Sequence, residues 1–166
     1  MKQLNGYAII AAALCLGAGA AGAQDMNAHT SQDANFVRQA AKSGTEEVAD
    51  GKTQRTSSNA GARTFASRMV RDHTKANTQL QAIAQRIGMS AQLQAGIQAA
   101  KAPEQMPGAE YLRKEIGDHR QAIALFKTEA ANGNDGNLRQ YARATLPALM
   151  AHLLMAERYS GSSGSM

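Results

Sequence analysis

Four long stretches of this chain repeat apolar residues at a helical spacing, and no stretch alternates apolar with polar residues. Side chains three and four positions apart share one face of a helix, whereas alternate ones share a face of a strand. The pattern therefore calls for helices that must each bury one stripe. Ala, Gln, Arg, Leu and Met are abundant and β-branched residues are scattered, so nothing reads as a strand. The expected fold class is all-α.

The first expected helix runs from about Ala34 to Ser57 and puts Val37, Ala40, Ala41, Gly44, Val48 and Gly51 on one face. Gly44 and Gly51 are poor helix formers, and on such a small-residue face they suit the close approach of another helix. Glu47 lies at the edge of this face and is expected to be a flanking surface acid, with an inward carboxylate as the alternative. The second helix starts after Asn59 as N-cap, stops at Gly88, and carries Phe65, Met69, Ala76, Leu80, Ile83 and Ile87 in its stripe. His73 falls inside that stripe and Asp72 borders it. Ser90 to Ala102 reads as a crossover with a short helix, followed by Pro103 and Pro107.

The third long helix spans Gly108 to Asn132 and ends at Gly133, with His119 at the centre of a stripe of Leu112, Ile116, Ile123, Phe126 and Ala130. Glu115 lies one turn before His119 on the same side, and Asp118 is more lateral. The last helix begins near Asp135 and carries Leu138, Ala142, Leu146, Leu149, Leu153 and Ala156, with His152 at the margin. Pro147 falls inside it and is expected to kink it, because proline lacks a donor and crowds the preceding turn. Arg68, Arg71 and Lys75 form a basic stripe on the solvated side of the second helix.

The N-terminus bears on compartment. Lys2, an apolar run from Tyr7 to Leu16 too short to span a bilayer, and Ala21-Gly22-Ala23 together read as a cleaved secretory signal over residues 1–23. The single Cys15 lies in that run, so the mature chain would have no disulfide, no thiolate metal site and no cysteine nucleophile. Residues 24–33 read as a flexible segment, 34–159 as one domain and 160–166 as a disordered Gly/Ser tail. The formal charge of +5 falls to +4 when Lys2 is removed, a mild excess that argues against a nucleic-acid partner. The mature chain has no run that would cross a membrane.

Four helices of roughly 36 Å, at 1.5 Å per residue, bury four stripes most simply as an antiparallel four-helix bundle with a short extra helix in the crossover. Glu47, His73 and His119 then fall near the middle of their helices and His152 somewhat beyond, in neighbouring layers. His73, His119 and His152 with Glu115, Asp72 and Asp118 form either a polar layer that fixes register or a ligand set for a divalent transition metal such as Zn, Cu or Ni. Met69 and Met155 add a copper(I) variant through thioether ligation, with core packing as the alternative role. His119 is expected to be paired with acid and so to have a raised pKa.

The chain carries Glu47-Val48, Gly51-Lys52, Phe65-Ala66, the run Met69 to Asn77, Tyr111 eight residues before His119, Asp118-His119, Ala122 to Phe126, Leu146-Pro147 and His152-Leu153. In these residues it resembles a family of exported bacterial proteins, domain of unknown function 4142. Where that family usually has Phe-Asp, this chain has Pro107-Gly108. The resemblance implies a ferritin-like helical bundle behind a signal peptide, periplasmic or outer-membrane-associated, with no established activity.

No Glu is followed by His three residues later, and no G-x-S-x-G, H-E-x-x-H or phosphate loop is present, so no enzymatic activity is expected. The expected role is a non-catalytic binding or interaction module of the cell envelope, with an envelope protein or surface as partner. Metal binding through the His/carboxylate cluster is the alternative.

Overall fold

Asn59 accepts a hydrogen bond from the Ala62 amide at 2.9 Å and so caps a helix where the sequence places one. That helix closes at Gly88, whose φ of 77° only glycine adopts at little cost. The computed structural model describes residues 21–162, and among these the fold is all-helical, with no strand. The helices are α1 (Ala21–Gln54), α2 (Ala60–Arg86), α3 (Ser90–Gln98), α4 (Gly108–Asn132) and α5 (Gly136–Ser162). Of the expected signal, residues 1–20 lie outside the described residues.

Helix α1 begins at Ala21 rather than near Ala34. The turn between α4 and α5 holds this half of α1. Buried Asp33 accepts the amides of Asn134 and Asp135, each at 2.8 Å, and Phe36 and Val37 are buried beside it. At the other end α5 continues to Ser162, past the start of the expected tail at Ser160. It also passes through Pro147 without restarting. Proline removes the partner of the Arg143 carbonyl, but both residues are exposed, so water can serve that group.

Contacts set the helix directions. Asp33 meets the start of the α4–α5 turn and Asp50 meets Lys114, so α1 and α4 run oppositely. Gly44 faces Asn77 and Gly51 faces Val70, which makes α1 and α2 opposed as well. The Tyr141 hydroxyl donates to the Ala76 carbonyl at 3.2 Å and His152 reaches Asp72, so α5 opposes α2. Arg143 donates to the Ala130 carbonyl and Arg120 pairs with Glu157, which opposes α5 to α4. Helix α3 lies against α1, where Gly96 sits on the Arg38 carbonyl.

Two apolar clusters result. One gathers Phe36, Val37, Leu80, Phe126, Leu138, Tyr141 and Leu149, with the Phe36 and Phe126 rings edge to face at 5.0 Å. The other gathers Ala62, Phe65, Met69, Tyr111, Leu112 and Ala156. Along α2, α4 and α5 the histidines, with Glu115, fall between the two.

The close approach at Gly96 is testable. A methyl group there would collide with the Arg38 carbonyl and come within 2.9 Å of the Ala41 side chain, whereas at Gly117 it would meet nothing within 4 Å. Alanine gains about 1 kcal/mol of helix propensity at either site, but overpacking against backbone costs about 1–3 kcal/mol. Gly117→Ala should raise urea-unfolding stability by about 0.5–1 kcal/mol, and Gly96→Ala should lower it. Equal stabilisation by both would mean that α3 does not seat on α1 in this way.

Candidate metal centre

Each long helix sends one or two polar side chains to the layer between the apolar clusters. Helix α1 supplies Glu47, α2 supplies His73, α4 supplies Glu115 and His119, and α5 supplies His152. Their exposures are 6%, 9%, 0%, 1% and 1%. Gly44 and Gly51 flank Glu47 three residues before and four after, so the face that lets α2 approach also turns Glu47 inward.

The three imidazoles converge. Ring centroids lie 5.8 Å apart for His73 and His119, 5.4 Å for His73 and His152, and 5.5 Å for His119 and His152. One nitrogen from each ring lies within 4.8 Å of one nitrogen of each of the others. Phe65 closes one side, its ring edge to face with His119 at 6.2 Å and with His152 at 6.5 Å.

Hydrogen bonds set the tautomers. His119 Nδ1 lies 2.9 Å from the Glu115 carbonyl oxygen, which can only accept, so Nδ1 carries the proton and Nε2 the lone pair. His152 Nε2 donates to the Asp72 carboxylate at 3.0 Å, which leaves Nδ1 with the lone pair. His73 Nε2, His119 Nε2 and His152 Nδ1 are buried without a hydrogen-bond partner among the described residues. Outer groups thus orient two imidazoles through one nitrogen and leave the other free, the arrangement that metal-ligating histidines use.

The electrostatics favour neutral rings. Burial, reinforced by its two imidazole neighbours, pushes the His73 pKa down to about 3. Burial also lowers His119, despite the Glu47 carboxylate and the bond to the Glu115 carbonyl, and it lowers His152 despite Asp72. Burial tends to raise Asp72, but hydrogen bonds from His152 and Arg71 outweigh it and hold that carboxyl below its usual range. An ionised Asp72 beside a neutral His152 is consistent, because Arg68 (3.1 Å) and Arg71 (2.9 Å) already neutralise the carboxylate.

The carboxylates behave differently. Burial raises Glu47, and burial together with Glu47 raises Glu115 well above the ordinary carboxylate range. Both oxygens of Glu115 and Oε2 of Glu47 are buried without a partner among the described residues, and Glu115 Oε2 lies 3.4 Å from His119 Nδ1.

Of the residues singled out from sequence, the structure brings together His73, His119 and His152, puts Glu115 against His119, and uses Asp72 to orient His152. Asp118 stands apart from the imidazoles, paired with Lys114 at 2.7 Å on the wall of a surface cleft. Met69 and Met155 pack in the apolar cluster with Phe65. Glu47 is buried rather than a surface acid, and the flanking glycines were the signal for it. The expected raised pKa of His119 is reversed, because no carboxylate bonds that ring closely enough to offset burial.

A depressed histidine pKa has a defined sign in stability. The unfolded chain protonates near 6.5, so burying neutral His73 costs nothing above that pH and costs progressively more as pH falls toward its folded value of about 3. Glu47, Glu115 and Glu129, the last raised to about 7 by burial beside Asp33, act oppositely, losing their contribution as pH rises. A difference measurement separates the two. Between pH 7 and pH 5, the stability of metal-free wild type relative to His73→Gln should fall by about 1–2 kcal/mol. A gap independent of pH would show that His73 is solvated, and a gap that shifts in favour of wild type as pH falls would show that it is charged.

Neither a curated protein nor a solved structure matches this chain. One family does, over residues 18–159, which takes in α1, α2, α4, all but the last three residues of α5 and every residue of the polar layer. The chain belongs to that family, domain of unknown function (DUF4142).

Proposed function

We propose that this protein is a non-catalytic metal-binding bundle in which His73, His119 and His152 hold one transition-metal ion. In this proposal the four long helices are an antiparallel four-helix bundle of ferritin-like kind, and the ion ties α2, α4 and α5 together at mid-length. The observation that carries it is the convergence of three buried imidazoles, with one nitrogen of each within 4.8 Å of the others and each ring carrying a buried nitrogen without a partner among the described residues.

Magnitude decides between a ligand set and a layer that only fixes register. A buried polar group without a partner costs about 1–3 kcal/mol, so three cost roughly 3–9 kcal/mol, against a total stability of about 5–15 kcal/mol for an ordinary domain. A register-fixing layer would pair its members. A small void of about 20 Å³ beside His73 and His119 has room for one water, and His152 does not line it, so a water there reaches at most two of the three rings. A divalent cation satisfies all three. Neutral imidazoles without thiolates suit Zn(II), Cu(II) or Ni(II).

A non-catalytic role is supported by the small size of the void beside His73 and His119, about 20 Å³. The proposal puts the protein in the periplasm or at the outer membrane, supported by the signal-like pattern of Lys2, Tyr7 to Leu16 and Ala21-Gly22-Ala23. Among the described residues, no helix is long and apolar enough to cross a membrane.

Metal counting tests the proposal. Untagged protein dialysed against Zn, Cu, Ni and Fe and then desalted should retain about one equivalent of Zn, Cu or Ni. His119→Ala and His152→Gln should each lose it, and cobalt(II) should give the visible spectrum of a tetrahedral or five-coordinate site. Wild type that retains none of these metals would end the proposal and return the imidazoles to a scaffolding role.

A further inference from the structure

We propose a second cation site next to the imidazoles, built from the carboxylates of Glu47 and Glu115, bordered by His119 and reached from a surface cleft. It goes beyond the imidazole site, because its donors are acids on α1 and α4 and its preference is for a harder ion.

Glu47, Glu115 and His119 each offer a ligand atom within 4.8 Å of the other two. Both oxygens of Glu115, at 0% exposure, and Oε2 of Glu47, at 6%, lack a hydrogen-bond partner among the described residues. Two carboxylates that face each other are both acceptors, so only a proton or a cation between them can join them. Lys114, the cation carried by the same stretch of α4, is committed to Asp50 at 2.9 Å and Asp118 at 2.7 Å.

Access distinguishes this site from a sealed pair sharing a proton. Glu47 lines both the internal void beside His73 and His119 and an open cleft of about 350 Å³ between α1 and α4. Besides Glu47, the cleft wall carries Glu46, Asp50, Glu104 and Asp118 against Lys42, Lys101 and Lys114, so acids outnumber bases along the approach. His119 has one lone pair, on Nε2, because Nδ1 donates to the Glu115 carbonyl. One nitrogen serves one ion. The second ion is therefore held by the two carboxylates and completed by solvent from the cleft, a donor set that suits Mn(II) better than Zn or Cu.

The test uses purified protein given one equivalent of Zn(II) and then titrated with Mn(II), with free Mn(II) read by electron paramagnetic resonance and both metals counted. Wild type should bind about one Mn(II) beside its Zn(II). Glu115→Gln and Glu47→Gln should each weaken Mn(II) binding at least about ten-fold and leave Zn(II) in place, the charge lost being the ligand. His73→Gln should lose Zn(II) and keep Mn(II). No Mn(II) on wild type would overturn the second site and leave Glu47 and Glu115 as a proton-sharing pair. Loss of both metals from the Glu variants would overturn it in favour of one five-residue site. Mn(II) binding without Zn(II) retention would sink the imidazole site alone. Circular dichroism checks folding, and should either variant misfold, the wild-type titration decides.

Discussion

Five ionisable side chains from four helices share one dehydrated layer, and the rest of the structure is organised around that cost. A low-dielectric interior penalises both charge and unpaired polarity. The imidazoles meet the first penalty by staying neutral, and Glu47 and Glu115 by holding protons more tightly. The second penalty is left standing on three ring nitrogens and on the facing carboxyl oxygens. Apolar clusters on both sides supply the compensating burial, and Phe65 seals the imidazoles from one of them.

The two halves of the layer are built differently. On the imidazole side, polarity is relayed from the surface inward: Arg68 and Arg71 hold Asp72, and Asp72 holds His152. Each step fixes a side chain and uses its exposed charge outside the core, so the ring arrives oriented and neutral. On the carboxylate side the relay stops short. Lys114 binds Asp50 and Asp118 and leaves Glu47 and Glu115 facing each other. The layer thus has neutral, oriented nitrogen donors at one end and facing carboxyl oxygens without a basic partner at the other, the asymmetry on which the two proposed cation sites rest.

Close packing makes the layer possible. Gly44 and Gly51 let α2 lie near α1, and Gly96 lets α3 seat on the Arg38 carbonyl. Glu47 sits between the first two, so the approach that buries the small-residue face also carries a carboxylate into the core. A larger residue at Gly51 would press on Val70 and the Ala66 carbonyl of α2, whereas at Gly44 it would meet the end of the Asn77 side chain.

Local chemistry was legible in the chain itself. Asn59 and Gly88 mark the ends of α2, Gly108 to Asn132 is read directly as α4, and the stripes of α2, α4 and α5 follow from spacing, because caps and periodicity act within one helix. The burial of Asp33 within α1 was not legible, since its partners lie in the turn before α5, about a hundred residues away. The convergence of His73, His119 and His152, the burial of Glu47, the diversion of Asp118 to Lys114 and the lowered pKa of His119 were decided only in the tertiary structure. Each depends on the axial register of one helix against another. A shift of one turn, 5.4 Å, would scatter the rings without changing any stripe, so spacing along the chain carries no record of it.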